Sequence, residues 1–426
     1  MGNYGVKERM IARVLSKLPG VKRIVKNTYV LFNAAIYRKS YKYRKYGGTR
    51  FSDPKSSCFL KEGEESFFGY YDKCPMNNSG WVINHVTSSR TICPAKKGTI
   101  IKIVLYNIYS QERLDVGETT AFSWQQGSRT QWVGEHEILF NFFDEQSNSW
   151  KSKLYSLETR KIENVYDEPV QDAYGSHYIL SLDYKRLNTL TVDYGYQDCG
   201  VYTHQELKDL NAVAISMIDC RNGDRKVLAF FKDIIAVDYK DEFKNAIHSV
   251  NHIMINKQGT SFIFIHRYYV NGIRKDRLML CDFESFKVLS DFEMVSHCCW
   301  VNENTVYGYL RYKGKDGYYY IDVNSLDFKL NEKVLNLGLG DGHPSVYGDL
   351  IVFDTYPDRS RMQGLYLCNR KKNKVEQLLE VFQGTGFKES SRCDLHPRFA
   401  NDGNIIFFDS VYEGKRRQYF ININQG

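Results

Sequence analysis

The stretch LHPRFANDGNIIFFDS, residues 395–410, leads from a polar, proline-containing turn into an apolar strand, and this arrangement recurs along the chain. Each copy has His or Asp near its start, a turn with Gly or Asn, and then a run of apolar residues, which is typical of β-hairpins. Similar stretches are FGYYDKCPMNNSGWVINHV (68–86), SVNHIMINKQGTSFIFIHR (249–267), SHCCWVNENTVYGYL (296–310) and GHPSVYGDLIVFDT (342–355). A further strand-like run follows each copy, so each is expected to begin a unit of several antiparallel strands.

Seven such units can be counted, beginning near residues 66, 122, 170, 246, 296, 342 and 392. Each has room for four short strands and needs a neighbour to bury its faces, and radial closure supplies that neighbour. An aromatic content of 15% also favours strands over helices. The sequence therefore predicts an all-β, seven-bladed β-propeller over residues 51–426, preceded by a basic helical arm over residues 1–50.

The last unit is short, because the chain stops at YFININQG, residues 419–426. A strand from about residues 51–66 is expected to complete this blade and so to close the ring. A two-sheet β-sandwich carrying a helical arm is the alternative architecture.

Charge is unevenly distributed along the chain. Residues 1–50 contain thirteen Lys and Arg against one acid, Glu8, so this arm carries a charge of +12. Since the whole chain carries +8, the remainder carries −4 by difference. A basic arm on a slightly acidic body predicts an anionic partner for the arm and argues against a nucleic-acid-binding core.

The arm also has helical periodicity. One apolar stripe is formed by Met10, Ile11, Val14, Leu15 and Leu18. A second apolar run, within residues 21–48, is shorter than the roughly twenty residues that cross a bilayer, and no secretory signal peptide is recognisable. The arm is therefore expected to lie on an anionic membrane surface, which places the protein in the cytoplasm, peripheral on the inner membrane. The alternative is a solvated helical hairpin packed on the main domain.

Ten cysteines are present, and none is spaced as Cys-x-x-Cys. In a chain without a recognisable secretion signal, they are expected to be reduced and mostly buried thiols. A zinc ribbon is not expected.

Polar residues cluster where the seven units begin, and in a propeller those positions converge on the central funnel. The residues at these positions are Tyr70, Tyr71, Asp72, Lys73, Trp124, Gln126, Arg129, Asp172, His248, His252, His297, Asp341, His343, Arg392, Asp394, His396 and Arg398. Imidazole and carboxylate groups together are typical of a divalent-metal site. Histidine and arginine together are also suited to an anionic sugar. An Asp-x-His-Pro turn can equally be structural, with proline restricting the backbone.

Three stretches in this order, HSVNHIMINKQGTSFIFIHR (248–267), SHCCW (296–300) and DLHPRF (394–399), resemble blade starts of the oligogalacturonate lyase family. That family consists of seven-bladed propellers related to TolB-type repeats. In it, two blade starts supply three histidines and a glutamine to a manganese-like ion. The ion binds the substrate uronate, and a basic residue removes the proton beside the carboxylate in β-elimination.

The resemblance implies a metal site in which two of four ligand positions are altered. His297 corresponds to the first metal histidine of the family and His396 to the last. Asp394 stands where the family has its middle histidine, and Ser391 stands where it has a glutamine. An aspartate can still bind a hard cation.

Further positions around the site correspond less closely. Asn251, His252 and His266 match positions that surround the site in the family, and Arg267 stands where the family has an acid. The resemblance covers residues 246–411, is faint over the first three blades and does not include the arm.

Together, the resemblance and the blade starts predict a carbohydrate-active protein that cleaves an acidic, uronate-containing oligo- or polysaccharide by metal-assisted β-elimination. The cofactor is expected to be one divalent metal ion: manganese, calcium or zinc. Candidate metal ligands are His297, Asp394, His396 and His343. Candidate catalytic residues are His252, Tyr71 and Arg398. Candidate substrate-binding residues are Arg392, Arg267, His266, Asp72 and Lys73.

Two other functions remain open on the sequence. One is a membrane-associated, glycan-handling protein of bacterial surface-polysaccharide assembly, either a transferase or a non-catalytic binder. No glycine-rich phosphate loop is visible, and DYGYQD (193–198) is not a convincing Asp-x-Asp motif. The other is a propeller that serves as a scaffold for protein partners.

Overall fold

The strands form seven antiparallel sheets in the computed structural model, which describes residues 19–46 and 51–423. Sheets that follow one another in the chain contact each other, and the seventh contacts the first through Arg417–Asn422 and Glu65–Phe67. The sheets therefore form a closed ring. The predicted seven-bladed β-propeller is confirmed, and the β-sandwich alternative is wrong.

Each blade contains four strands that are consecutive in its sheet, apart from the additions described below. Blade 1 comprises Glu65–Phe67, Trp81–Thr87, Ile101–Asn107 and Arg113–Thr119. Blade 2 comprises Gln131–Trp132, Glu137–Asp144, Ser149–Ser156 and Lys161–Tyr166. Blade 3 comprises Asp172–Tyr174, Tyr178–Ser181, Val213–Asp219 and Arg225–Phe230. Blade 4 comprises Ile247–Ile255, Phe262–Val270, Ile273–Cys281 and Phe286–Ser290.

The second half of the ring follows the same plan. Blade 5 comprises Val295–Asn302, Thr305–Tyr312, Lys315–Asp322 and Phe328–Leu330. Blade 6 comprises Ser345–Tyr347, Leu350–Asp354, Met362–Asn369 and Lys374–Phe382. Blade 7 has Arg398–Phe399, Ile405–Ser410 and Arg417–Asn422 from the end of the chain.

The N-terminal part of the chain completes two blades. Lys55–Ser56 is the fourth strand of blade 7, where Lys55 pairs with Phe420. This confirms the prediction that a strand near residues 51–66 closes the ring. Tyr43–Lys45, which belongs to the predicted arm, adds a fifth strand to blade 6, where Tyr43 pairs with Val381.

The first strands line the centre of the ring, since those of blades 5, 6 and 7 contact one another in turn. Because neighbouring strands are antiparallel, three features lie at the same end of every blade. These are the start of the first strand, the loop between the second and third strands, and the connection to the next blade. We call this end of the ring the funnel face.

Helices are few and short apart from the N-terminal helix, Pro19–Ile36. Among residues 19–46 and 51–423, the other α-helices are Tyr184–Leu190, His204–Leu207, Phe231–Ala236 and Glu332–Asn336, and the 3-10 helices are Asp241–Asn245 and Glu389–Ser391. Within the described part of the chain, no helix is long and apolar enough to cross a membrane. The predicted apolar stripe over residues 10–18 lies outside the described residues.

The core lies between neighbouring blades, because strands with two buried faces must pack against a second sheet. Ile263 and Leu278 of blade 4 pack against Val306 and Ile321 of blade 5. This packing holds each first strand in a defined position along the funnel. All ten cysteines lie in the described residues as free thiols and most are buried, as the sequence predicted.

Candidate functional site

Three histidines meet where the first strands of blades 5, 6 and 7 begin. The ring centroid of His343 lies 4.1 Å from that of His297 and 4.2 Å from that of His396. All three side chains are buried. Residues separated by about fifty positions in the sequence are thus brought together by the ring, as the sequence analysis expected of its blade starts.

Carboxylates orient two of these imidazole rings. The Nδ1 atom of His343 lies 2.9 Å and 3.0 Å from the two carboxylate oxygens of Asp354. The Nδ1 atom of His297 lies 3.2 Å from Oδ1 of Asp341. A carboxylate at Nδ1 leaves Nε2 as the atom of each ring that can bind a cation, which is the usual support for a metal-binding histidine.

His396 is held by its backbone. Its φ of 44° lies in the left-handed region, which is uncommon for a residue with a side chain. The His396 amide donates a hydrogen bond of 3.1 Å to Asp354, and its carbonyl accepts one of 2.8 Å from Arg398. Arg398 is itself paired with the buried Asp409 at 2.9 Å. Arg398 therefore positions His396, and its guanidinium is already engaged within the protein.

Asp394 adds a carboxylate to the histidine cluster. One ligand atom from each of His343, Asp394 and His396 lies within 4.8 Å of the other two. Ligand atoms around one divalent cation lie about 2 Å from it and therefore about 3–4 Å from one another. A shift of these side chains by about an ångström would bring their ligand atoms to that spacing. A mixed set of imidazole and carboxylate ligands suits manganese or zinc. These residues therefore fit a divalent metal ion.

The altered fourth position of the family pattern does not join this set. Ser391 donates its hydroxyl hydrogen bond to the carbonyl of Lys388, 2.8 Å away, within its own turn. His343 lies in the cluster instead. His343 was predicted as a metal ligand from its place at a blade start, since the family pattern assigned it no role, and it lies beside Asp394 and His396.

A segment of blade 1 passes beside the cluster. The ring centroid of Tyr71 lies 5.5 Å from that of His343 and 5.8 Å from that of His297. Its hydroxyl donates a hydrogen bond of 2.9 Å to the carbonyl of Cys298. Tyr70 stacks on His252, with centroids 5.3 Å apart, and its hydroxyl is hydrogen-bonded to Nδ1 of that ring.

Gly69 makes this course of the chain possible. Its φ is +111°, and a Cβ atom at this position would lie 2.6 Å from the backbone carbon of Gln126. Both the backbone conformation and the close approach exclude other residues. The tyrosines that follow Gly69 are thus placed by a contact between blades 1 and 2.

We expect Gly69→Ala to lower the free energy of unfolding by about 3–5 kcal/mol, because strain and overlap combine. Gly63→Ala is the matched control, since Gly63 also has a positive φ, +84°, but no atom lies within 4 Å of the added Cβ. This control should lose only about 1–2 kcal/mol. Denaturant unfolding measures both values, and equal losses would mean that the contact with Gln126 relaxes freely.

Burial keeps most of the imidazoles neutral. It lowers the pKa of His297 to about 4, and it lowers the pKa values of His252 and His396 well below the ordinary range. Although burial by itself would lower it, the pKa of His343 is raised because Asp354 stabilises the charged ring. Neutral histidines can bind a cation or accept a proton.

Burial changes the pKa values of the funnel tyrosines in the opposite direction from those of most of the histidines. Burial raises the pKa values of Tyr70 and Tyr71 well above the ordinary range, so both phenols stay protonated at neutral pH. A protonated phenol suits proton donation better than proton abstraction.

Two predicted substrate-binding residues are engaged in ion pairs with blades 2 and 3. Asp72 accepts hydrogen bonds of 3.0 Å and 2.7 Å from the guanidinium of Arg129. Lys73 pairs with Asp172. These pairs join the blade 1 segment to its neighbours, and the structure does not bring Asp72 or Lys73 into the histidine cluster.

Adjacent residues on a strand point to opposite faces, and this separates His266 from Arg267. His266 lies in another buried cluster, where its Nε2 is 2.9 Å from Nδ1 of His248 and its Nδ1 accepts a hydrogen bond from Arg277. Its pKa is lowered well below the ordinary range by burial. The structure does not bring His266 to the histidines of blades 5 to 7.

Arg267 lies near the funnel side of blade 4. Its side chain is 4% exposed, and its guanidinium lies 3.2 Å from Asp276 and 5.9 Å from the ring of Tyr194. Its Nε atom faces Oδ1 of Asp276 at 3.2 Å, and its Nη1 atom makes no hydrogen bond with the described part of the protein. A buried arginine with unused donors is suited to an anionic ligand.

The segment between the second and third strands of blade 3, residues 182–212, also contributes to the funnel, which was not predicted from the sequence. The ring of Tyr194 in this segment lies 5.0 Å from His252 and 6.2 Å from Tyr70. Burial raises the pKa of the adjacent Asp193, although Arg392 favours its charged form. This segment is longer than the corresponding loop of every other blade, and its length was the available signal.

A second missed residue is Tyr356, in the loop between the second and third strands of blade 6. Its ring centroid lies 5.6 Å from His343, and the guanidinium of Arg392 lies 5.4 Å from the same ring. Arg392 also donates to both oxygens of Asp394, at 2.8 Å and 2.7 Å. Arg392 thus lies beside the histidine cluster and is partly exposed, at 26%, whereas Asp394 is 1% exposed.

Comparison with solved structures agrees with this architecture. An oligogalacturonate lyase in complex with manganese has a TM-score of 0.59 at 13% identity, covering 90% of this chain and 96% of that one. An oligogalacturonate lyase from Vibrio parahaemolyticus has a TM-score of 0.59 at 12% identity, covering 90% and 97%. No protein-family model matches the chain, and no curated protein matches it. At this level of identity, the likeness establishes the shared propeller fold.

Proposed function

We propose that this protein cleaves an acidic, uronate-containing oligo- or polysaccharide by metal-assisted β-elimination at the funnel face. The observation that carries the proposal is the convergence of His297, His343, His396 and Asp394, with Arg392 beside them. Structural likeness to a lyase that is in complex with manganese supports the same choice of chemistry.

The residues that would hold the cation are His343, His396 and Asp394, with His297 adjacent to His343. A bound divalent ion supplies Lewis acidity, which neutralises a uronate carboxylate and makes the proton on the neighbouring carbon more acidic. Asp354 and Asp341 keep their imidazole partners in the orientation that this requires.

Arg392 changes partner in this proposal. At present it neutralises Asp394 with two short contacts. A cation bound to Asp394 would compete for that carboxylate and release the guanidinium toward a substrate carboxylate, to which arginine binds in bidentate fashion. The same loop therefore supplies one cation ligand and one substrate contact. Arg267, which pairs with Asp276 through Nε and has an unused donor group at Nη1, would provide a second contact for an anionic group.

The positions of His252 and Tyr71 beside His297, and their protonation states at neutral pH, support the following proton transfers. His252 is neutral and accepts the proton from the carbon beside the carboxylate, while the electron pair of that C–H bond forms the new carbon–carbon double bond. The glycosidic oxygen leaves with the electrons of its bond to the adjacent carbon. Tyr71 stays protonated and, by exchanging the carbonyl of Cys298 for the substrate, donates to that leaving oxygen. Arg398, paired with Asp409, acts as a positioning residue for His396.

The test is an assay of acidic and neutral polysaccharides for the ultraviolet absorbance of an unsaturated uronate product. Product is expected only from uronate-containing chains, and it should be lost with a chelator and restored by manganese. Absorbance from neutral chains, or none from any uronate polymer in the presence of a bound divalent ion, would contradict the proposal.

Arg392→Gln is expected to raise KM for an acidic substrate by about 10–100-fold, because one charge-assisted carboxylate contact is lost. Lys388→Gln is the matched control, since this exposed residue lies in the same loop and its replacement removes the same charge. An equal rise in both variants would show that only the overall charge of the loop matters.

A further inference from the structure

The N-terminal helix turns an apolar face to solvent. Ile24, Leu31, Phe32 and Ile36 are 68%, 58%, 65% and 57% exposed. Residues at these spacings lie on one side of a helix. On the opposite side Asn33 is buried, and its side chain donates a hydrogen bond to the carbonyl of Tyr29.

An ordinary surface helix buries its apolar face and exposes its polar face. In this helix the apolar face is the exposed one. A contiguous exposed patch of large aliphatic and aromatic side chains usually marks an interaction surface. The hydrophobic effect therefore favours a partner on this face.

The charge around the helix identifies the kind of partner. Thirteen Lys and Arg stand against one acid over residues 1–50. Among the described residues that follow the helix, Arg38, Lys42 and Arg44 are exposed. A second copy of the chain would bring the same positive charge to the interface and be repelled. An apolar helical face surrounded by cations fits the boundary between anionic lipid headgroups and acyl chains.

We propose that the helix Pro19–Ile36 binds an anionic lipid surface through the face formed by Ile24, Leu31, Phe32 and Ile36. The apolar face enters the acyl boundary, and the neighbouring Lys and Arg contact the headgroups. This docking is independent of the reaction proposed above.

The structure also orients the ring on that surface. After the helix, the ring of Tyr37 lies 5.9 Å from the guanidinium of Arg359, in the loop between the second and third strands of blade 6. Tyr43 then pairs with Val381, near the funnel-face end of the fourth strand of that blade. The helix therefore leaves the propeller at the funnel face.

The same loop of blade 6 reaches the candidate site, because Tyr356 contacts His343. Docking through the helix thus turns the opening of the funnel toward the lipid. Several exposed apolar side chains of the funnel face are consistent with this orientation, namely Ile100, Val192, Val201, Ile273 and Leu337. If the proposed function holds, the glycan substrate is presented at a membrane.

Flotation of the full chain with vesicles tests the docking. We expect binding to vesicles of phosphatidylcholine with phosphatidylglycerol, weak binding to phosphatidylcholine alone, and binding about tenfold or more weaker for L31Q/F32Q. Glutamine keeps a high helix propensity. The control is I162Q/V165Q, which replaces two exposed apolar residues in the outer strand of blade 2. This variant should bind anionic vesicles as strongly as wild type does.

Equal binding by L31Q/F32Q and wild type would overturn the proposal, and so would absence of wild-type binding. Sedimentation of the same proteins without lipid shows whether a second copy of the chain covers this face. A dimeric wild type with a monomeric L31Q/F32Q would identify a second copy as the occupant, and this outcome would also overturn the lipid proposal. Neither result depends on lyase activity, so this proposal and the proposed function can fail separately.

Quenching by brominated lipid tests the orientation. Leu337→Trp lies in the connection between blades 5 and 6 on the funnel face, and Leu326→Trp lies at the opposite end of blade 5. The first tryptophan is expected to be quenched more strongly than the second on anionic vesicles. Equal quenching, or stronger quenching at residue 326, would show that the funnel does not face the lipid.

Discussion

Replacing both His343 and His396 with alanine is expected to weaken binding of manganese or zinc by about 1,000-fold or more, because two of the three converging ligands are removed. Uronate-lyase activity should disappear with the metal. Titration calorimetry measures the affinity, and elemental analysis measures the metal content of the purified protein. Circular dichroism should show unchanged strand content, since blades also pack against each other through apolar side chains outside the histidine cluster, such as Ile263 and Val306.

His136→Ala is the matched control for this experiment, because His136 is 44% exposed and lies outside the funnel. Its metal affinity should equal that of wild type. The metal affinity of Asp354→Asn should lie between those of the double histidine variant and wild type. It should be about 10–100-fold weaker than that of wild type, since the change disturbs the orientation of His343 without removing a ligand. A double histidine variant that still binds one ion stoichiometrically would contradict the site, as would a wild-type protein that binds none.

Asp409→Asn is expected to lower the free energy of unfolding by about 3–5 kcal/mol, because it leaves the buried Arg398 charge without its partner. Both side chains are 1% exposed, so water cannot replace the lost carboxylate. Asp409 also accepts hydrogen bonds from the backbone amides of Phe68, at 3.2 Å and 3.3 Å, and Gly69, at 2.8 Å. Since Asp409 belongs to blade 7 and these amides to blade 1, the change acts where the ring closes.

The measurement is denaturant unfolding, with Glu413→Gln as the control. Glu413 pairs with Arg417 at 3.1 Å, but the two side chains are 45% and 35% exposed. Solvent-exposed ion pairs contribute about 0–1 kcal/mol to the free energy of unfolding. The free energy of unfolding of Glu413→Gln should therefore be close to that of wild type. A loss of less than about 1 kcal/mol for Asp409→Asn would mean that Arg398 finds another partner or admits water.

The blade starts could be located from the sequence because strand and turn patterns are local. First strands begin at residues 65, 172, 247, 295 and 345, close to the predicted 66, 170, 246, 296 and 342. The first strand of blade 2 begins at residue 131, whereas its predicted start was near residue 122. Residues 123–127 instead form a turn closed by a bridge between Ser123 and Gly127.

The candidate site was predictable only in part. Four metal ligands were predicted: His297, Asp394 and His396 from the resemblance, and His343 from its place at a blade start. The structure brings His343, Asp394 and His396 within reach of one cation, with His297 adjacent to His343. The roles of the arginines were not readable, because a guanidinium at a blade start can face the funnel or a neighbouring carboxylate. Arg398 meets Asp409 within its own blade, whereas the partly exposed Arg392 contacts Asp394 and the ring of Tyr356.

The sequence by itself determined the architecture of this protein: the all-β class, seven blades, the closing N-terminal strand and the basic arm. Hydrophobic periodicity, turn residues and charge are properties of neighbouring residues, and they specify local structure before the chain is folded. Only the tertiary structure decided which polar side chains meet. That choice depends on which face each strand turns to the funnel and on the partners that neighbouring blades supply, as Asp354 does for both His343 and His396.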